Sequence, residues 1–199
     1  MTKNRKPSTT RRLLLLLACQ LLTQSASAGN PAHHTPSILV GQVVAVQDGD
    51  SLTVSDAQHQ LHKVRLAGID APETRQPHGL AAKRYLSALV LNATVAVEHH
   101  KLDRYQRKVG TVLKNGQDVN LQLLEAGLAW HYTAYAKEQP MAARRLYAQV
   151  ASRAQADGIG LWQTANPTPP WEWRKQRRSQ NERPALSHFQ LPIKIKGAQ

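Results

Sequence analysis

The sequence contains one cysteine, one phenylalanine and half as many acidic as basic residues. The lone cysteine leaves no partner for a disulfide within the chain. The scarcity of aromatic residues gives little support to a surface that binds single strands by stacking bases. The 26 Lys and Arg residues against 13 Asp and Glu give a formal net charge of +13. This excess favours a polyanionic partner, although a cationic tail that only aids solubility explains it equally well.

The chain also lacks a long hydrophobic run. Its first 28 residues carry five bases and no acid, an apolar stretch over 13–22 and an Ala-Ser-Ala sequence ending at Ala28, which is the pattern of a secretory signal peptide. A stretch of about ten residues cannot span a bilayer, which needs about 20. We therefore predict cleavage after Ala28, no stable membrane span afterwards, and a secreted or periplasmic location. An uncleaved anchor, a twin-arginine signal at 10–14 and a lipid anchor on Cys19 are the alternatives.

Cleavage removes five of the 26 bases and no acid, so 21 bases remain against 13 acids and the formal charge falls to +8. Residues 171–199 hold seven of those bases and two acids. The predicted organisation is a linker over 29–36, one domain over 37–165, and a strap with Pro and Trp residues that leads into a basic, disordered tail over 166–199. The mature chain would have no cysteine, and we expect a monomer.

Short runs of branched residues bounded by polar turns predict five β-strands, at Ile38–Val46, Leu52–Val54, Leu61–Leu66, Thr94–Val97 and Val109–Leu113. Asn115-Gly116 is typical of a hairpin turn. Helical spacing, capping residues and terminal glycines predict three α-helices, over 79–91, from Asp118 to Gly127 and from Pro140 to Gly158. The pattern indicates an α+β fold whose strands close into a small barrel.

Two acidic motifs flank the second and third predicted strands. A hairpin turning near residues 59 and 60 would place Asp50 opposite Asp70, where two carboxylates repel each other unless a cation compensates them. The motifs offer only oxygen ligands, including the carbonyl of Ala71, which favours Ca²⁺ or Mg²⁺ over zinc. Glu73 lies next along the chain and could accept a proton from an attacking water. Each motif alone is also an ordinary turn, so the prediction depends on their joint placement.

Arginines accompany these acids. Arg65 lies in the strand that leads to Asp70, and Arg104, Tyr105 and Arg107 follow Asp103 in a polar loop. A guanidinium fork binds phosphate oxygens in pairs and stabilises charge that develops on a phosphodiester under attack. Pairing of these arginines with Asp103 or with other surface acids is the alternative.

Between Ile38 and Trp162 the sequence resembles the staphylococcal nuclease (thermonuclease) family. The resemblance is carried by Val46-Gln47-Asp48-Gly49-Asp50-Ser51, the decapeptide Arg65–Thr74, Asp103-Arg104-Tyr105-Gln106-Arg107, Val119-Asn120 with Gly127-Leu128-Ala129-Trp130, and Gly160-Leu161-Trp162. It implies a five-stranded OB-fold β-barrel with three α-helices, a Ca²⁺ site, and hydrolysis of single- and double-stranded DNA and of RNA that leaves 3′-phosphate ends.

The same resemblance implies a role for each matching residue. Asp50, Asp70 and the carbonyl of Ala71 would bind Ca²⁺, and Glu73 would act as general base or orient the water. Arg65 and Arg107 would hold the scissile phosphate and stabilise its transition state. Arg104, Tyr105 and Tyr135 would contact a neighbouring phosphate or nucleotide. Asp48 and Ser51 would support the metal ligands.

The sequence departs from the family at Gln106, which replaces a glycine. A side chain here costs strain if the turn needs positive φ. Residues 74–78 also form a shorter connection than in the best-known family member. Two other functions remain open. One is a non-catalytic nucleic-acid-binding module of the same fold, and the other is a Ca²⁺-stabilised interaction domain whose basic tail binds envelope polyanions or anionic lipid.

Overall fold

The computed structural model describes residues 36–181. The strands are β1 (Ser37–Val46), β2 (Ser51–Ser55), β3 (Leu61–Leu66), β4 (Ile69–Asp70), β5 (Thr94–Leu102), β6 (Lys108–Lys114), β7 (Gln117–Asp118) and β8 (Trp130–His131). The α-helices are α1 (Gly79–Val90), α2 (Val119–Glu125), α3 (Met141–Ala156) and α4 (Pro170–Asn181). The signal peptide, nearly all of the linker and residues 182–199 lie outside the described residues. No helix within residues 36–181 combines the length and apolar character needed to cross a membrane.

Five strands form a closed barrel, as predicted. Antiparallel neighbours run in the order β3-β2-β1-β5-β6, and parallel pairing of β3 with β6 closes the circle. Branched side chains alternate into the interior, because successive residues of a strand point to opposite faces. The buried residues of the barrel strands include Val43, Leu52, Val54, Val64, Leu66, Val95, Val97 and Val112. Helices α1 and α2 cover the barrel with Leu86, Val90, Leu123 and Leu124.

The hairpin register differs from the prediction. Ser51 pairs with Arg65, and the N–H of Leu66 donates to the carbonyl of Asp50 at 2.9 Å, so Asp50 lies opposite Leu66 and not Asp70. The turn forms earlier than predicted, because the carboxylate of Asp56 accepts hydrogen bonds from the N–H groups of Gln58 and Gln60. Such a side-chain-stabilised turn is typical of aspartate.

Asp70 approaches Asp50 by a second route. The chain reverses after β3 at Gly68, whose φ of 72° is readily available only to glycine. The short β4 then pairs with β8, with Asp70 opposite Trp130. The position of Asp70 therefore depends on residues about 60 positions further along the chain.

The prediction of three helices and a disordered tail is wrong at Pro170–Asn181, which forms α4. Trp171 packs edge-on against Trp130, with ring centroids 6.4 Å apart, and lies 5.7 Å from the ring of Tyr132. Composition alone predicted disorder because the segment is polar and basic. The aromatic contacts supply the tertiary packing on which most helices depend.

Asn120 connects the barrel to α2 and to the turn after β3. It is fully buried, accepts the N–H of Val112 at 3.1 Å, and donates to the carbonyls of Ala67 and Gly110 at 3.0 and 3.2 Å. These bonds hold the chain where it leaves β3 for β4. Asn120 is therefore a structural support for the position of Asp70.

We expect Asn120→Ala to lower the free energy of unfolding by about 2–3 kcal/mol, because it removes the hydrogen-bond partner of the buried N–H of Val112 and of the carbonyl of Ala67. Chemical denaturation followed by circular dichroism measures the change. Glu125→Ala, at an exposed position of the same helix, is the control and should change stability by less than about 0.5 kcal/mol. An equal effect of both substitutions would contradict this account of Asn120.

Candidate active site

The turn between β1 and β2 presents Asp50 at one end of the barrel. Asp48 Oδ1 accepts the N–H of Asp50 at 3.0 Å, and Asp50 itself is 6% exposed. Gly49 is required here for close approach: a Cβ at this position would lie 2.6 Å from the Cβ of Ala82 and 2.7 Å from that of Ala71. The glycine of this motif thus lets α1 and the Asp70 segment pack directly against the turn.

Asp70 lies beside Asp50, with Arg65 between them. Arg65 Nη2 is 3.0 Å from Asp70 Oδ1 and 3.1 Å from Asp50 Oδ2. Its Nη1 donates to the carbonyls of Leu66 and Ile69 at 2.8 and 3.0 Å. The N–H of Ala71 donates to Asp50 Oδ2 at 2.7 Å. The two carboxylates are therefore brought together, with one guanidinium serving both.

Burial governs the electrostatics of this pair. Burial, together with the nearby charges of Asp48 and Asp70, raises the pKa of Asp50 to about 7, although Arg65 and the N–H of Ala71 lower it. Asp70 is 1% exposed. Carboxylates shielded from water to this extent need positive charge beside them in order to ionise.

Arg107 reaches the same end of the barrel through a tight turn. Asp103 accepts hydrogen bonds from the N–H groups of Tyr105 and Arg107, and its Oδ2 lies 2.7 Å from Arg107 Nε. Burial alone would raise the pKa of Asp103, but the hydrogen bonds from Arg107 and Tyr105 hold it below its ordinary value. Arg107 Nη1 donates to Ser51 Oγ at 3.1 Å, and that hydroxyl donates to Asp50 Oδ1 at 3.2 Å. The guanidinium thus pairs with Asp103 and is also linked to the acid pair.

Gln106 has a φ of 60°, so the positive φ anticipated for this turn is present. The turn still closes, because the N–H of Gln106 donates to the carbonyl of Asp103 at 2.9 Å. Arg107 keeps its contacts with Asp103 and Ser51. The side chain at position 106 therefore adds backbone strain and leaves the direction of Arg107 intact.

The predicted nucleotide contacts lie further out. The guanidinium carbons of Arg104 and Arg107 lie 4.9 and 5.5 Å from the ring centre of Tyr105, which is 61% exposed. Tyr135 contacts Lys101, whose Nζ lies 4.7 Å from its ring centre, and Tyr132 at 5.7 Å. Tyr105 therefore adjoins the arginine side of the site, whereas Tyr135 joins the aromatic group on which α4 packs.

Glu73 has a partner that the sequence did not predict. Arg174 Nη1 lies 2.8 Å from Glu73 Oε1 and 3.2 Å from Asp70 Oδ1, and Arg174 Nη2 lies 2.8 Å from Asp70 Oδ2. Burial alone would lower the pKa of Arg174, but the hydrogen bonds to Asp70 and Glu73 raise it above its ordinary value. The available signal was Pro169-Pro170, suited to a helix start, followed by Trp171 and Arg174 three residues apart on one helical face.

The donor set fits a hard cation. Asp50 and Asp70 offer carboxylate oxygens side by side, and Glu73 is held near Asp70 by Arg174. Across residues 36–181, no group of three His, Cys, Asp or Glu side chains is gathered closely enough to hold a metal by itself. Ca²⁺ accepts irregular sets that include backbone carbonyls and water, so the carbonyl of Ala71 and solvent could complete this one.

The fold and the site together define a small OB-fold barrel protein with a buried aspartate pair flanked by arginines. The family model described as "Staphylococcal nuclease homologue" matches residues 63–164. The chain belongs to this family.

Relatives in bacteria and plants share the domain. A Haemophilus influenzae protein named as an uncharacterized endonuclease is 40% identical over 137 residues, which is 69% of this chain and 74% of the relative. An Escherichia coli protein with the same name is 36% identical over 138 residues, or 69% of this chain and 86% of the relative. A staphylococcal-like nuclease of Arabidopsis thaliana is 40% identical over 119 residues, which cover 60% of this chain but only 35% of the plant protein.

We expect Gly49→Ala to lower the free energy of unfolding by about 1–3 kcal/mol, because the new methyl group overlaps Ala71 and Ala82. Thermal and chemical denaturation measure the loss. The double variant Gly49→Ala with Ala82→Gly removes one overlap, so its loss should be smaller than the sum of the single losses. Strict additivity would show that Gly49 is not needed for the close approach.

We expect Gln106→Gly to raise the free energy of unfolding by about 0.5–1 kcal/mol, because it relieves the left-handed conformation at residue 106. Gln58→Gly is the matched control: it lies in another exposed turn and is not among the positive-φ residues. That substitution should lower stability by about the same amount, since it only increases the freedom of the unfolded chain. Destabilisation by Gln106→Gly would contradict the assignment of strain.

Proposed function

We propose that this chain is an exported, Ca²⁺-dependent nuclease that hydrolyses DNA and RNA and leaves 3′-phosphate ends. The observation that supports this most is the placement of Asp50 and Asp70 together, with Arg65 between them and Arg107 joined to Asp50 through Ser51. The names of the bacterial and plant relatives, endonuclease and staphylococcal-like nuclease, point the same way. The substrates are single- and double-stranded DNA and RNA, and the working unit is a monomer.

Asp50, Asp70 and the carbonyl of Ala71 would hold the cation. When bound, Ca²⁺ supplies positive charge that polarises a phosphoryl oxygen and favours loss of a proton from water. The buried carboxylates suit this role, because their burial makes a compensating positive charge strongly favourable. Asp48 and Ser51 hold Asp50 in position through the hydrogen bonds already described.

Hydrolysis then requires a base and a binding site for the phosphate. Glu73 is the most exposed of the three acids and accepts the proton from the attacking water. The water oxygen bonds to phosphorus as the bond to the 5′-oxygen breaks, and that oxygen takes up a proton from solvent. One strand then ends in a 3′-phosphate and the other in a 5′-hydroxyl. Arg65 and Arg107 bind the non-bridging oxygens, on which charge accumulates.

Arg104 and Tyr105 would contact the neighbouring phosphate or nucleotide beside Arg107, and Tyr135 would contact a nucleotide from the aromatic side. A non-catalytic nucleic-acid-binding module of the same fold is the principal alternative. Such a module needs basic and aromatic surface but has no use for a buried aspartate pair with an acid beside it. The residues present therefore favour catalysis.

Export is part of the proposal and is supported by the signal-peptide pattern that ends at Ala28. The mature protein would be secreted or periplasmic, with a lipid anchor on Cys19 as the alternative. The first residue of the protein recovered from the cell exterior or periplasm distinguishes the two. Cleavage after Ala28 begins the mature chain at Gly29, whereas a lipid anchor begins it at Cys19.

The central test is hydrolysis of single-stranded DNA by the mature protein with Ca²⁺ and with a chelator. We expect cleavage only with Ca²⁺. Glu73→Gln should lower kcat by about 10²-fold or more because the base is lost, and Arg65→Gln should do the same through the loss of charge stabilisation. Lys63→Gln, exposed and two residues away on β3, removes the same charge as Arg65→Gln and should leave the rate nearly unchanged.

Product ends provide a separate check, since a 3′-phosphate blocks extension by a polymerase until a phosphatase removes it. DNA binding without cleavage in Ca²⁺ would favour the binding module. Cleavage that persists in chelator would remove Ca²⁺ from the proposal while leaving the nuclease. Full activity of Glu73→Gln would exclude Glu73 as the base.

A further inference from the structure

Arg174 contacts the carboxylates of Asp70 and Glu73, to which the proposed function assigns cation binding and proton transfer. Its two terminal nitrogens contact both oxygens of Asp70, and one of them also contacts Glu73. Asp70 is 1% exposed and also contacts Arg65. Both carboxylate oxygens of Asp70 and Oε1 of Glu73 thus face a cation that the chain itself supplies.

Arg174 is brought to this position by a segment docked from outside the barrel. Trp171 lies one helical turn before Arg174 and packs against Trp130 and Tyr132. The amide of Gln76 donates to the carbonyl of Thr168, just before the helix. His78 Nε2 lies 3.2 Å from Thr164 Oγ1. The segment is therefore attached to the loop that follows Glu73 and to the strand that pairs with Asp70.

This attachment is peripheral. Residues 175–180, which follow Arg174 in α4, are exposed, and Arg174 itself keeps 35% of its side chain accessible. The hydrophobic core contains residues of the barrel strands and of α1, α2 and α3 but none of α4. Release of the helix would therefore leave the folded domain and the aspartate pair in place.

We propose that α4 is an autoinhibitory latch: Arg174 occupies the Asp70 and Glu73 oxygens in the cation-free protein, and a divalent cation must displace it to bind. The inference rests on the proposed function, because it concerns the Ca²⁺ site and the general base of that nuclease. With the latch closed, Asp70 is shared between two guanidinium groups and Glu73 is held by one. Opening returns both acids to the roles described above.

The latch would lower the apparent affinity of the protein for Ca²⁺ by a calculable factor. The apparent dissociation constant of a ligand is its intrinsic constant divided by the fraction of protein that is competent to bind. If the latch is closed in nine molecules out of ten, removing Arg174 strengthens Ca²⁺ binding about tenfold. If Arg174 instead served as a permanent structural clamp, its removal would loosen Asp70 and Glu73 and weaken Ca²⁺ binding.

The test is titration calorimetry of Ca²⁺ into the mature protein and its variants, without nucleic acid. We expect Arg174→Gln to bind Ca²⁺ about tenfold or more tightly than the unaltered protein. Arg178→Gln, exposed one turn further along α4, removes the same charge from the same helix and should leave the affinity unchanged. Equal or weaker binding by Arg174→Gln would overturn the latch while leaving the Ca²⁺ site intact. Absence of Ca²⁺ binding in all three proteins would overturn both the latch and the metal requirement of the proposed nuclease.

Hydrogen exchange of the unaltered protein gives a second readout, which does not depend on a variant folding. Ca²⁺ should speed exchange of the amides in Pro170–Asn181 as the helix is released, and Asp50→Asn, which weakens the cation site, should suppress that response. Slower or unchanged exchange of these amides at saturating Ca²⁺ would exclude the latch. In that case, loss of DNA affinity in Arg174→Gln without loss of Ca²⁺ affinity would reassign Arg174 as a phosphate contact.

Discussion

The burial of two aspartates side by side is the constraint on which the rest of this structure depends. Asp50 and Asp70 are almost inaccessible to solvent, and an ionised pair in such a place is costly unless cations and hydrogen-bond donors surround it. Arg65 serves both carboxylates, the N–H of Ala71 serves one, and Arg107 acts through a hydroxyl. The barrel end is organised to supply positive charge and hydrogen-bond donors to these two groups.

The supports of the pair are distributed through the sequence. Gly49 allows a helix to press against the first aspartate turn, and Asn120 fixes the chain as it leaves β3. The short strand that contains Asp70 gains its partner from Trp130 and His131. Because α4 docks on Trp130 as well, the same strand pair positions Asp70 and anchors the helix that contacts it.

The barrel and most of its helices could be predicted from the sequence, because branched residues, turn residues and caps act locally. The convergence of the two aspartates was also predicted, but through a hairpin register that is wrong by several residues. The alternation of apolar and polar residues along a strand does not fix where a hairpin turns. Hydrogen bonds to the carboxylate of Asp56 place the turn earlier than predicted. The contact with Arg174 spans about 100 positions and depends on aromatic packing, so composition pointed to disorder where tertiary contacts form a helix. The positive φ at Gln106 was anticipated because the family that the sequence resembles usually has glycine at this position.

The pairing of β4 with β8 also sets the order in which parts of the domain can reach their final positions during synthesis. A chain that emerges from the ribosome or from a membrane pore presents both aspartates within its first half, yet the strand that fixes Asp70 appears only with residues 130–131. The acid pair therefore cannot reach its final geometry until most of the domain is free to fold. Arg174 follows some 40 residues later, so the growing chain presents both aspartates and the strand that fixes Asp70 before it presents the helix that contacts Asp70.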